Sequence, residues 1–280
     1  MFGIKSFCIL GGDERQIYCG RSIAEDGFSV CFCGFEKYSG DMAPALCTPD
    51  EAAVSADSFI LPLPCTKDGI TLNAPFAEKD IRLDDLFELI GNRPVFCGMK
   101  NRLPFSADGV YDYSVREEFA VENAVPTAEG ALELAMREYG GTVSTSSCLV
   151  AGYGRIGKIL SQMLRGLGAD VTVSARNLRD IAFIRALGMK AINTSKINGH
   201  FDIVFNTVPC LVFDAQSIAR ISPSLIIDLA SAPGGTDFDG AKRLSVKALH
   251  ALSLPGKCAP AASGNIIKNA VYNIIREEEL

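Results

Sequence analysis

From Ser6 the chain alternates short apolar runs with stretches of helical periodicity. The runs SFCIL, SVCFCGF, SFILPLP and PVFCGM are separated by RQIYCGRSIAEDG, DEAAVSA and IRLDDLFELIG. Runs of this length, rich in aromatic and β-branched residues, read as buried strands. Alternating with helices, they predict β-α-β units around a parallel sheet. The character shifts at ADGVYDYSVREEF, which is polar and charged, and then at NAVPTAEGALELAMREYGG, which is strongly helical. Pro126 at the front of that helix and Gly140 and Gly141 beyond its end are start and stop signals. Alternation then resumes with SCLVAGYG, a helix from Lys158 to Leu167, ADVTVSAR, a helix to Leu187, FDIVFNTVP, a short helix, LIIDLAS and KALHALSLPGK. The tail SGNIIKNAVYNIIREEEL carries Ile267, Val271, Ile274 and Ile275 at helical spacing.

The pattern predicts an α/β protein of two domains, and 280 residues are enough for two cores. Residues 1–122 are expected to form a flavodoxin-like N-terminal α/β domain carrying the substrate and catalytic groups. Residues 123–263 are expected to form a Rossmann-type, doubly wound parallel sheet that binds a dinucleotide, with a helix over 264–280 packing back on the first domain.

Composition narrows the function. Apolar residues make up 48% of the chain, yet no window approaches the roughly 18 uninterrupted apolar residues of a membrane helix. The first residues, MFGIKSFCILGGDERQ, hold no legible export signal, so the cytoplasm is the expected location. A formal net charge of −6 with no compensating basic cluster argues against nucleic acid and for a small-molecule substrate. The ten cysteines are scattered through apolar runs and read as buried free thiols. With no Cys-x-x-Cys pair and only His200 and His250, no metal is expected.

The most informative stretch is LVAGYGRIGKILSQMLRGLGADVTVSARN, residues 149–177. Gly152, Gly154 and Gly157 follow an apolar strand and open a helix, with a second strand behind it. In such a loop the first glycine makes the tight turn, the second lets the backbone approach a pyrophosphate, and the third lets helix pack on strand. The N–H groups at the helix start, around Arg155 and Ile156, would receive the phosphate. About 20 residues on, where an NAD enzyme places a carboxylate on the ribose, the strand end offers Ser174, Arg176 and Asn177. A guanidinium there matches a 2′-phosphate, so NADP is expected rather than NAD.

Ligands of open α/β sheets lie beyond the carboxyl ends of the strands. That position is held in the second domain by Thr207, Val208 and Pro209 after FDIVFN, and by Ser231 and the glycines of SAPGG after LIIDLA. Asp228, inside an apolar strand, is expected to orient backbone. In the first domain Gly12, Asp13, Arg15 and Gln16 follow a strand and begin a helix, a place for an anionic substrate with Arg15 as its charge partner. Thr66, at the end of LPLPCT, is a second rim candidate. Neither histidine is expected to act as a base, and no catalytic residue is legible.

Over nearly its whole length the chain resembles the dipicolinate synthase A-subunit family of endospore-forming bacteria. The likeness is carried by GGDERQ (11–16), NAVPTAEG (123–130), GYGRIG (152–157), SARN (174–177), DLASAPGGTDF (228–238) and LPGKCAP (254–260). The resemblance implies NADP-linked oxidation of dihydrodipicolinate to pyridine-2,6-dicarboxylate during sporulation, in the mother cell. It also implies that the partner is a flavoprotein-like B-subunit, and a homo-oligomer is expected. Ala261 and Ala262 stand where the family pattern has a lysine, which leaves Lys257 as its substitute, and His250 replaces an apolar residue. The alternative is a non-catalytic subunit that binds NADPH for a flavoprotein partner. A shikimate- or 2-hydroxyacid-type dehydrogenase would need a histidine–carboxylate pair that the sequence does not offer.

Overall fold

The computed structural model describes residues 3–41, 44–106 and 108–280. Met1 and Phe2, which begin the stretch read for an export signal, and Ala107, which opens the polar segment, lie outside the described residues. Two compact units emerge, residues 1–123 with 259–280, and residues 124–258.

The first unit begins with β1 (Ser6–Leu10), α1 (Glu14–Glu25), β2 (Ser29–Cys33), α2 (Pro49–Ser55), β3 (Ser58–Ile60), α3 (Leu83–Ile90), β4 (Val95–Cys97), β5 (Val110–Asp112) and α4 (Glu117–Glu122). Its five strands are parallel, in the order β2-β1-β3-β4-β5. That is the flavodoxin-like order, with its topological switch between β1 and β3. Local chemistry fixes the helix starts. Asp13 accepts the Arg15 N–H to cap α1, and Thr48 and Glu51 cap α2 reciprocally, with Pro49 in the first turn. Strand β5 and helix α4 come from the segment whose polarity had marked it only as a change of character. They are only three and six residues long, too short to establish a period.

The second unit comprises α5 (Ala124–Glu138), β6 (Ser147–Ala151), α6 (Arg155–Gly166), β7 (Asp170–Ala175), α7 (Leu178–Ala186), β8 (Lys190–Asn193), β9 (Ile203–Asn206), α8 (Ala215–Ile221), β10 (Leu225–Asp228), α9 (Phe238–Arg243), β11 (Lys247–His250) and α10 (Leu254–Cys258). The strands run β11-β10-β9-β6-β7-β8, all parallel. Two three-stranded halves wind outward from β6 and β9, as in Rossmann-type dehydrogenase domains, so the switch point lies at the carboxyl ends of those two strands. Helix α6 starts three residues before the expected Lys158, because the extended backbone at Gly154 makes that glycine the cap.

The last helix, α11 (Pro260–Glu277), completes the first unit and begins four residues before the expected 264, with Pro260 in its first turn. It buries Ile267, Val271, Ile274 and Ile275 in a core shared with Phe7, Ile9 and Ile17. Helix α11 approaches α1 at backbone distance, since a Cβ on Gly264 would stand 2.6 Å from the Arg15 carbonyl oxygen and 2.7 Å from the Cys19 nitrogen. Ile275 is fully buried, so Ile275→Ala is expected to cost about 2–5 kcal/mol of stability. A drop in the urea midpoint at unchanged slope checks this, and a loss under about 0.5 kcal/mol would contradict the packing. No helix among the described residues is long and apolar enough to cross a membrane.

Candidate functional site

The glycine loop is shaped by what its neighbours leave no room for. Gly152 follows β6 at φ +100°, a conformation that disfavours a side chain, and a Cβ there would overlap the Thr207 hydroxyl. A Cβ on Gly157 would overlap the Gly152 carbonyl, so this glycine seats α6 against the loop. Gly154 is the opposite case, with no heavy atom within 4 Å of where its Cβ would be. As at any helix start, the first-turn N–H groups of α6 have no carbonyl of their own helix to pair with, and Gly154 leaves open space beside them. The loop therefore fits a pyrophosphate.

A cavity of about 310 Å³ opens over the loop. Of the expected cofactor residues it gathers Gly152, Gly154, Arg176, Asn177, Thr207, Val208 and Pro209. Thr207 is anchored by its backbone N–H and its hydroxyl, both donating to the Ala151 carbonyl. Arg155 and Ile156 lie in the first turn of α6, and Gly157 is buried beneath the loop. Ser174 is buried behind the cavity wall, its hydroxyl 3.2 Å from that of Thr194, and Thr194 is the residue that lines the space. The period-2 pattern of β7 gave no means of separating these two roles.

Further lining residues escaped the sequence reading, Tyr153, Asp180 and Cys210 among them. Tyr153 stands between the glycines, with the Lys158 ammonium 5.5 Å from its ring centroid. Burial and the charge of Asp180 raise its phenol above the usual range. Asp180 itself lines the cavity, so a carboxylate is present near the ribose position, contributed by the first turn of α7 rather than by the strand end. Asn177 caps α7 by accepting the Asp180 N–H at 2.7 Å, and its amide donates to that carboxylate at 2.7 Å. Cys210, exposed, also lines the space, which corrects the expectation that the thiols are all buried. An adjoining cavity of about 340 Å³ shares Arg176, Thr194 and Cys210 and adds Ser195, Ser217 and Arg220, so it carries two guanidinium groups.

The loop after β10 is tied by hydrogen bonds and close packing. Asp228 accepts from the Asn206 amide and the Ala230 and Gly235 N–H groups at 2.8–3.0 Å, and Gly235 is packed against Asn206 and the Cys210 carbonyl. Its glycines thus meet a packing demand. Ser231 is exposed at the start of that loop. His250 ends β11 with Nε2 3.0 Å from the Ala230 carbonyl oxygen. That oxygen can only accept, so Nε2 carries the proton. His200 is exposed, 3.6 Å from Asp202.

In the first unit, Gly11 and Gly12 turn the chain at positive φ, and their N–H groups donate to the Cys33 and Asn73 carbonyls. Arg15 is buried, with 8% of its surface exposed. Its Nε and Nη2 hold both oxygens of Asp13 at 2.8 and 2.9 Å, and Nη2 also donates to the Leu63 carbonyl at 2.8 Å. Burial lowers the guanidinium's hold on its proton, and the hydrogen bonds and charge of Asp13 reverse this into a net rise. The free fork expected from the sequence is therefore half engaged, and only Nη1 lacks a partner among the described residues. Gln16 is fully buried with neither amide oxygen nor nitrogen paired, although each such orphan costs about 1–3 kcal/mol. Thr66 is fully buried as well. Its hydroxyl donates to Asp68 and accepts from the Gly69 N–H, so it caps a turn and forms no rim. A larger cavity of about 530 Å³ in this unit is lined by Glu36, Asp50, Glu78, Asp80 and Asp85 against Lys79 and Arg82, a field that repels a dicarboxylate.

Residues 6–104 match the family model of the dipicolinate synthase A-subunit N-terminal domain. The dipicolinate synthase A-subunit of Bacillus subtilis (strain 168) is 31% identical over 288 residues, covering 98% of this chain and 97% of the relative. Among solved structures, the dipicolinate synthase A-subunit from Bacillus halodurans superposes with a TM-score of 0.83 at 29% identity, covering 97% of each chain. The corresponding structure of dipicolinate synthase from Bacillus subtilis gives 0.82 at 28%, covering 98% of this chain and 96% of that one.

Proposed function

Because the chain belongs to the dipicolinate synthase A-subunit family, we propose that it oxidises dihydrodipicolinate to dipicolinate with NADP during sporulation, working beside the B-subunit. The observation that carries this reading is the open cradle at Gly154, with Arg176 lining the same cavity. NADP bound there would supply the hydride acceptor. The α6 N-terminus and Gly154 hold the pyrophosphate, and Thr207, Val208 and Pro209 border the nicotinamide end beyond β9. Arg176, helped by Arg220, faces the 2′-phosphate.

The substrate loses a hydride and a proton and gains an aromatic ring, so the protein's main task is to hold a dicarboxylate in a fixed orientation. Gly12, Asp13, Arg15 and Gln16 are the groups we assign to it. Nη1 of Arg15 meets a carboxylate while Asp13 keeps the guanidinium plane fixed. The unpaired amide of Gln16 would offer its N–H donors to the same ligand.

Calorimetric titration of NADP and dipicolinate against the purified chain tests the assignment. Arg15→Ala is expected to weaken dipicolinate binding by roughly ten- to a hundred-fold, about 1.5–3 kcal/mol, while NADP affinity holds. Arg15→Lys should recover only part of the loss, since lysine keeps the charge and loses the fork. Dipicolinate affinity unchanged in Arg15→Ala would remove this arginine from the substrate site.

A further inference from the structure

Three cysteines far apart in sequence meet on one face of the first unit's sheet. Cys8 on β1 and Cys31 on β2 are register partners in the parallel ladder, so their side chains leave the sheet on the same side. The segment 45–47 extends the ladder beyond β2. The Phe32 N–H donates to the Ala45 carbonyl, the Cys47 N–H donates to the Phe32 carbonyl, and Phe32 pairs with Leu46. That register puts Cys47 on the face shared by Cys31 and Cys33. The sulfurs of Cys8, Cys31 and Cys47 lie within 4.8 Å of one another. Cys8 is fully buried, whereas Cys31 and Cys47 are half-buried, so the triangle has an apolar floor and a side reachable from solvent.

We propose that these three thiols form a binding site for a thiophilic divalent d10 cation of the Zn(II) type, held as a three-thiolate complex with a fourth ligand from solvent. Sulfurs no more than 4.8 Å apart lie around a centre about 2.8 Å from each at most, and a zinc–thiolate bond of about 2.3 Å needs shifts of only about half an ångström. Side-chain rotation covers that without moving the ladder. Binding deprotonates the thiols, so cation uptake releases up to three protons to buffer. A disulfide would use two of the three sulfurs and need an oxidant, whereas the cation uses all three as they stand. The site belongs to the strand pair β1–β2 and its outer extension, and it is independent of the cofactor reading. With no Cys-x-x-Cys pair and neither histidine near it in sequence, the site is hidden from sequence spacing, because strand register alone brings positions 8, 31 and 47 together.

The test is titration of the full, reduced chain with Cd(II), following ultraviolet thiolate-to-metal absorbance and proton release, with Zn(II) then added as competitor. Saturation at one equivalent, displacement by Zn(II) and concurrent proton release are expected. Cys31→Ser and Cys47→Ser should each weaken binding by more than the roughly 10- to 100-fold that loss of a supporting contact costs. Both positions are half-exposed, and circular dichroism checks that each variant folds. Cys210→Ser and Cys65→Ser, which alter thiols elsewhere, should leave the titration unchanged. Absence of saturable binding in the wild type, or equal binding in folded Cys31→Ser and Cys47→Ser, would overturn the proposal.

Discussion

Gly154→Val is expected to raise the dissociation constant for NADP about a hundredfold, near 2.8 kcal/mol, while far-ultraviolet circular dichroism stays close to wild type. The backbone at Gly154 is extended, with φ −80°, and its Cβ would touch nothing, so the folded chain accepts a side chain there. Valine caps a helix less well than glycine, which costs stability on the order of 1 kcal/mol and no more. What valine takes away is the space over the first turn of α6, where a pyrophosphate would come against backbone N–H groups. Gly157→Ala fails differently, because its methyl group would overlap the Gly152 carbonyl and deform the loop itself. Calorimetry on the two variants separates a lost cradle from a lost fold, and unchanged NADP affinity in Gly154→Val would reduce the motif to a turn.

Arg176→Ala is expected to weaken NADP by roughly 1.5–3 kcal/mol and to leave NAD almost unaffected, since a hydrogen-bonded charge pair with the 2′-phosphate is the only contact removed. Two features of the structure bear on its size. Arg220, across the adjoining cavity, can retain part of the attraction and draws the expected loss toward the lower value. Asp180 opposes a phosphate in the same space, so Asp180→Asn should tighten NADP several-fold without helping NAD, about 1 kcal/mol at most for a partly exposed charge. Parallel titrations of both cofactors with both variants give the comparison directly, and equal losses for NADP and NAD in Arg176→Ala would count against 2′-phosphate recognition.

The alternation of strand and helix in both units was legible because short apolar runs recur between stretches of helical periodicity. The glycine loop was legible because each glycine answers a different steric demand. Short elements were lost where no apolar run marks them, as with β5, β8, α4 and α9. Side-chain roles were lost where they depend on a neighbour distant in sequence. Ser174 yields its place at the cavity to Thr194, twenty residues on, and Asp180 enters it from a helix. Arg15 reads as a free cation until the fold aligns it with Asp13 and the Leu63 carbonyl. Thr66 reads as a rim until its hydroxyl is found inside a turn. The Cys8–Cys31–Cys47 triangle exists only once strand register is known.

The central claim is that this chain carries the oxidation itself, and the most direct test is to supply dihydrodipicolinate and NADP to the purified protein with no second protein present. Reduced-nicotinamide absorbance should rise with dipicolinate formed in a one-to-one ratio, and the rise should vanish in Gly154→Val. Tight NADP binding with no reduced nicotinamide formed until the B-subunit is supplied would contradict the claim and assign the chain the role of a cofactor-holding partner.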